Sequence, residues 1–264
     1  MHDIHVSSAE NTPRDVVAIG NTYAPQTVLA PHTHWRAQLL YASTGAMTVG
    51  TEGGSWVVPP TRAVWIPAGM LHSVRMSGSV QIRSLYIRPA AAARRGLPEV
   101  CCVIAVSRLL AALLEAAVDL PALYALQGRD ARVIALALDE IRAMPVQPLS
   151  AALPREPRLR ALCTQLLEAP ASAGSIDDVA HQVSMSRSRF TRLFRQQTGL
   201  SFGAWLTQAR LLYALREIAS GASITQVALA AGYSTPSAFS AAFRQVLGET
   251  PSRYFHRDGT RPGA

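Results

Sequence analysis

Apolar and polar positions change rhythm twice along this chain. From residue 16 to about 90, apolar residues come in short runs, at Ala37–Tyr41, Ala46–Val49, Ser55–Val58, Ala63–Ile66 and Val80–Ile87. Turn-forming residues separate them, at Ser43–Gly45, Glu52–Gly54, Pro59–Pro60, Pro67–Gly69 and Ser77–Gly78. Short β-prone runs at even spacing predict a small barrel or sandwich. The rhythm then becomes helical over Val103–Val118 and Asp130–Ala143, with Leu109, Leu110, Leu113 and Leu114, then Val133, Ile134, Leu136, Leu138 and Ile141. The segment Met144–Pro157 carries four prolines, which no helix tolerates, and reads as a linker. Helical spacing resumes at Arg158. The fold class is therefore α+β: a β-domain over 1–92, a helical dimerisation or packing segment over 93–144, a linker over 145–157, an all-α domain over 158–256 and a tail over 257–264.

The all-α region contains one device written twice. Val179-Ala180 recurs at Val227-Ala228, and Phe194-Arg195-Gln196 recurs at Phe243-Arg244-Gln245. Each copy reads as a short helix, a tight turn and a second helix, the pattern of a helix-turn-helix. Ser223 with Gln226 fits the capping box, Ser175 with Asp178 resembles one, and Thr235-Pro236 and Thr250-Pro251 mark helix starts. Phe202, Trp205, Leu206, Ala209, Leu212 and Tyr213 define a long helix between the copies, a strut ending near Gly221.

In the first copy Phe190, Leu193, Phe194 and Gln197 share an inward face. Arg187, Ser188, Arg189, Thr191, Arg192 and Arg195 remain for solvent or a partner. An arginine at Arg192 can fork onto guanine O6 and N7, worth about 1–3 kcal/mol of discrimination. Arg187, Arg189 and Arg195 suit phosphates, which fix position without reading sequence. In the second copy Phe239 and Phe243 point inward, and Ser237, Ser240, Ala241 and Arg244 outward, a lighter grip. Two such helices on one unit would enter successive major grooves about 34 Å apart, bending the duplex if they sit closer.

Charge sharpens this picture. All 25 basic residues are arginine. Thirteen of them lie from Arg155 onward against seven acids, while residues 1–154 hold twelve against ten. The basic excess sits with the doubled motif and points to a polyanionic partner. No run of about 18 apolar residues offers a membrane span. Met1–Val6 lacks the basic start and apolar core of a signal peptide. Cys101, Cys102 and Cys163 form no even framework and read as buried small hydrophobes, which fits a reducing cytoplasm.

The motifs Ile176-x-x-Val-Ala180, Ser186-x-Ser-x-Phe190, Phe194-Arg195-x-x-x-Gly199, Ile224-x-x-Val-Ala228-x-x-x-Gly232-Tyr233 and Phe243-Arg-x-x-x-Gly248-x-x-Pro251-x-x-Tyr254 resemble the DNA-binding domain of the AraC/XylS family of transcription regulators. The resemblance covers about Arg158 to His256. It implies a seven-helix unit with two helix-turn-helices, and an activator or repressor whose N-terminal domain senses a signal or dimerises. Its implied partners are double-stranded promoter DNA, a small-molecule effector, RNA polymerase for an activator, and a second copy in a homodimer. Ala241 departs from the pattern, since relatives often place a larger polar or basic residue there.

A second constellation lies in the β-domain. His32 and His34, two apart on extended chain, face the same way, and His72 follows Pro67-Ala-Gly69. Three imidazoles can hold one zinc, nickel, iron or manganese ion. The spacing resembles the two motifs of the cupin barrel, with Gln38 where an acid is usual. The resemblance covers about residues 28–90 and implies a cupin-like sensor barrel over 1–92. The metal set is then His32, His34, Gln38 and His72. The alternative is an effector pocket in which the histidines only hydrogen-bond, with Trp35, Gln38, Tyr41, Trp65 and Tyr86 as candidate effector-binding residues. A metal-dependent cupin enzyme, of dioxygenase or isomerase type, is the competing class. The missing acid at Gln38 weighs against it, and no catalytic residue is assigned.

Overall fold

The structure, a computed structural model, describes residues 6–60, 62–147 and 149–256. The tail expected over 257–264 lies outside the described residues. The chain divides into two compact units, residues 1–51 with 58–147, and residues 52–57 with 148–264.

The first unit begins with α1 (Val6–Asn11), followed by strands β1 (Val16–Tyr23), β2 (Val28–His32) and β3 (Ala37–Thr51). β4 (Gly54–Val58) falls almost wholly in the second unit, and the first continues with β5 (Arg62–Ile66), β6 (His72–Ile87), α2 (Pro89–Arg94), β7 (Cys102–Ala105), α3 (Arg108–Val118), α4 (Arg129–Ala143) and β8 (Val146–Gln147). These strands pair antiparallel, in the order β1-β6-β3-β5-β7-β8, with β2 also on β6. Two expected turns are bulges inside long strands. The β3–β6 register shifts at Ala42/Thr44 and Thr44/Ala46, where Gly45 takes φ 69°. Gly78 within β6 likewise takes φ 78°. Bulges let strands of 15 and 16 residues bend without ending.

The expected helix from Val103 is also corrected. Residues 102–105 form β7 against β5, and the helix starts only after the cap Ser107, whose side chain accepts from the Leu110 N–H. A short β-branched run packs better on an open sheet edge than in a helix turn. Helices α3 and α4 lie on one sheet face. Leu110, Leu114, Ile134, Leu138 and Ile141 join Leu39, Tyr41, Trp65, Leu85 and Ile87 in one core.

The second unit contains β9 (Ser150–Ala152), α5 (Pro157–Glu168), a short 3-10 turn, α6 (Ile176–Gln182), α7 (Arg187–Thr198), α8 (Phe202–Ala219), α9 (Ile224–Ala230), α10 (Pro236–Leu247) and α11 (Pro251–His256). The proline segment is not a free linker. Trp56 pairs with Ser150 across β4 and β9, and the Trp205 indole N–H donates to the Ala152 carbonyl at 2.8 Å. Gln197 Oε1 accepts from the Arg155 and Glu156 amides at 2.8 and 3.0 Å, tying down the start of α5.

The strut is α8, burying Phe202, Trp205, Ala209, Leu212, Leu215 and Ile218. Phe194 is fully buried and meets Phe190, Phe202 and Trp205 at ring distances of 5.5–5.8 Å. The Ser175/Asp178 capping box is complete, and Ser223 accepts from the Gln226 backbone N–H.

Candidate nucleic-acid interface and histidine centre

The helix-turn-helix turns are built by the same hydrogen bonds. In the first, Ser184 N–H donates to His181 O and Met185 N–H to Ala180 O. In the second, Gly232 N–H donates to Leu229 O and Tyr233 N–H to Ala228 O. This is the Schellman closure, which puts one residue in the left-handed region. That residue is Ser184 at φ 56° in one copy and Gly232 at φ 85° in the other.

After each turn a hydroxyl starts the next helix. Ser186 accepts from the Arg189 amide and Thr235 from the Ala238 amide. The helices end on left-handed glycines, Gly199 and Gly248. Phe190 and Phe194 seat α7, and Phe239 and Phe243 seat α10.

The outward face of α7 carries Arg187, Ser188, Arg189, Thr191, Arg192 and Arg195, all exposed. Among the described residues Arg189, Arg192, Arg195 and Arg244 have no ion pair, so their charge is not neutralised internally. Arg187 pairs with Asp177 at 3.1 Å, both largely exposed, a contact that a phosphate can displace. Thr191 Oγ1 donates to Arg187 O at 2.8 Å, which leaves its methyl and a lone pair outward. Arg187, Ser188, Thr191, Arg192, Arg195 and Gln196 line one open depression. Sequence reading passed over Gln196, although its place one turn after Arg192 and its counterpart Gln245 were visible signals. On α10 Ser237, Ala241 and Arg244 are exposed and Ser240 is half-buried, so the second face is narrower than expected.

In the first unit His32 ends β2, His72 starts β6, and the two are register partners. His34 follows on the loop into β3. One ring nitrogen from each lies within 4.8 Å of the others, and His34 and His72 are buried. Each Nδ1 faces a backbone carbonyl: His32 with Ala30 at 2.8 Å, His34 with Arg36 at 2.5 Å and His72 with Met70 at 2.9 Å. A carbonyl only accepts, so each Nδ1 is the donor in these contacts, and a ring in that tautomer has its lone pair on Nε2. The buried Nε2 of His72 has no hydrogen-bond partner. Burial, with repulsion from His32 and His34, pushes the His72 imidazole down to about 4, which keeps that lone pair available at neutral pH.

Gln38 Oε1 lies 3.1 Å from His34 Nε2, while Gln38 Nε2 donates to Ser84 Oγ at 3.2 Å and to Tyr86 Oη at 2.9 Å. Burial raises the Tyr86 phenol above its ordinary range, so it stays protonated.

The expected effector wall does not assemble as one surface. Gln38 and Tyr86 stand with His34, but Tyr41 and Trp65 lie in the core with α3 and α4. Side chains alternate along a strand, and Gln38 and Tyr41 are an odd number apart on β3, so they face opposite ways. Trp35 is 44% exposed, with the Arg36 and Arg88 guanidiniums over its ring at 4.7 and 5.8 Å. Cys101 and Cys163 are pushed up to about 12 by burial, consistent with packing rather than chemistry.

A basic double helix-turn-helix in one unit and a β-domain with a polar centre in the other define a DNA-binding transcription regulator with a ligand-binding domain. Residues 179–257 match the helix-turn-helix domain family, and residues 15–132 match the AraC-like ligand binding domain family. Over 226 residues the chain is 32% identical to the HTH-type transcriptional regulator NimR of Escherichia coli K12, covering 86% of this chain and 82% of NimR. It is 35% identical over 102 residues to the RCS-specific HTH-type transcriptional activator RclR of the same organism, covering 38% of this chain and 36% of RclR. The solved structure of ToxT from Vibrio cholerae aligns with 92% of this chain and 98% of its own at TM-score 0.39 and 10% identity. The chain belongs to the AraC family of HTH-type transcriptional regulators. Among the described residues no helix is long and apolar enough to cross a membrane.

Proposed function

We propose that this regulator grips double-stranded promoter DNA chiefly through α7, with Arg192 reading a base edge, while a divalent ion in the N-terminal domain conditions its response to an effector. The observation that carries the first half is the row of exposed arginines without ion pairs on α7, Arg189, Arg192 and Arg195, beside the sparser face of α10. Arg187, Arg189 and Arg195 take phosphates; Ser237, Ser240, Ala241 and Arg244 add the lighter second grip. Footprinting on the DNA upstream of its own coding region, with and without metals and metabolites, tests the reading. Absence of sequence-specific protection under every condition refutes it.

The metal reading rests on the three Nδ1–carbonyl anchors and the orphaned His72 Nε2. Such carbonyl contacts to the outer ring nitrogen commonly orient histidine ligands. His32, His34 and His72 would hold the ion, with Gln38 Oε1 beside them. Zinc, nickel, iron and manganese all accept imidazoles. A bound ion would cross-link the β2 end, the loop into β3 and the β6 start. Among the described residues no carboxylate joins the cluster, which supports a sensor rather than an enzyme.

Metal analysis of the purified protein and of His72→Ala tests the site. Gln38→Glu separates two orientations of the Gln38 amide. If Oε1 faces the ion, the carboxylate tightens binding; if the amide instead donates to His34, the substitution removes a competitor and the hydrogen bond together.

The protein's remaining partners follow from the same reading. Leu109 and Leu136, exposed on α3 and α4, suit a homodimer contact. RNA polymerase is the further partner where the regulator activates. A promoter-bound regulator works in the cytoplasm.

A further inference from the structure

Apart from the histidine centre, the first unit contains a cavity of about 330 Å³ where the start of β1, α2, the Tyr124 loop and α4 meet. Its rim carries Arg14, Arg88, Arg94 and Arg95, and Asp15 is the carboxylate among its lining residues. Its floor is apolar, from Val16, Ala91, Ile134 and Leu138.

The arginines are unequally satisfied. Arg14 is spent on the Tyr124, Leu123 and Pro13 carbonyls. Arg95 pairs with Asp139 at 2.6 Å. Arg94 donates one nitrogen to Asp15 at 2.5 Å, leaving the rest of its fork open. Arg88 is half-buried, donates one nitrogen weakly to Thr12 O at 3.3 Å, and its buried Nε has no partner. Arg36, outside the lining and fully buried, spends its Nη atoms on the Arg14, Asp15 and Thr12 carbonyls, and its charge lies close enough to Arg88 to repel it. Asp15, the carboxylate in the lining, is taken by Arg94, so Arg88 carries its positive charge beside an apolar floor with no ion pair of its own among the described residues. Guanidinium forks match two-oxygen anions bidentately, and an apolar floor rewards a hydrocarbon chain.

We propose that this cavity binds a small amphipathic carboxylate, its head group held by Arg88 and Arg94 and its chain laid on Val16, Ile134 and Leu138. Inorganic anions lack the part that the floor recognises, and neutral apolar molecules lack the part that the rim recognises. The site shares no residue with the histidine centre and needs neither metal nor DNA, so its failure is separable from that of the proposed function.

Isothermal titration of the full chain tests it, with hexanoate as probe, hexanamide as the uncharged control and inorganic phosphate as the head group without a chain. Hexanoate should bind, and both controls should bind at least about tenfold more weakly. Arg94→Ala, at an exposed position, should weaken hexanoate about tenfold or more while leaving the circular dichroism spectrum unchanged. Ala135→Phe, placed on the wall of the cavity by α4, should abolish the heat by filling it. Equal binding of hexanamide, equal binding of phosphate, no binding of hexanoate, or hexanoate binding that survives both variants would each overturn the proposal.

Discussion

Ser184 and Gly232 hold the same place in two copies of one turn, and only one of them is glycine. At φ 56° the Ser184 Cβ crowds its own backbone, a cost of about 1–2 kcal/mol for an L-residue in the left-handed region. Glycine removes that cost but brings up to about 1 kcal/mol of extra chain entropy in the unfolded state. The Ser184 side chain is exposed, so its removal gives up little packing. Ser184→Gly should therefore stabilise by about 0.5–1 kcal/mol. The reciprocal change meets a harder site. A Cβ at Gly232 would lie 3.1 Å from the Ala171 Cα and 3.1 Å from Arg210 Nη2, at φ 85°. Backbone does not yield as a flexible side chain does, so Gly232→Ser should cost about 2 kcal/mol or more. Urea titrations of the full chain, followed by circular dichroism, measure both. In thermal melts the midpoint should rise about 1–4 °C for Ser184→Gly and fall further than that for Gly232→Ser. A loss of stability in Ser184→Gly comparable to that in Gly232→Ser would refute the argument, because it would mean that the serine makes a native contact outweighing its backbone strain.

Other expectations follow from the same geometry. Arg192→Ala should relax preference at one base position by about 1–3 kcal/mol in competition binding, whereas Arg195→Ala should weaken all sequences alike and reduce the salt slope by about one. Phe194→Ala should cost about 3–5 kcal/mol in denaturant unfolding, because the ring is fully buried among Phe190, Phe202 and Trp205. Metal-free protein should lose stability as pH falls. A free histidine titrates near 6.5 and buried His72 at about 4, so the unfolded chain takes the proton first. The loss begins below about pH 6.5, is complete near pH 4 and amounts to at most about 3 kcal/mol. A flat stability profile across that window in wild type, or the same slope in His72→Ala, would remove His72 as the cause.

The doubled helix-turn-helix was legible in the sequence because its determinants are local. Paired phenylalanines at helical spacing, hydroxyl caps and a left-handed residue at each turn state the helices, their ends and their buried faces within about twenty residues. The arginines of α7 then had only one face left to occupy. The alternation of β3 was also written in the chain, yet which side of the sheet the helices cover was not. That choice sent Tyr41 and Trp65 into the core beneath α3 and α4, and left Gln38 and Tyr86 with His34 on the other side. Residues 42–46 and 77–78 carry turn chemistry that long-range pairing between β3 and β6 converted into bulges. Residues 102–105 have helix-like apolar content that an open edge on β5 recruited as a strand. The sequence placed three histidines near one another; only the tertiary structure put a carbonyl behind each Nδ1 and left His72 Nε2 without a partner. The arginine-rimmed cavity was invisible in the chain, because Arg14, Arg88 and Arg94 meet only when β1, α2 and α4 pack, and packing is decided by contacts that span most of the unit.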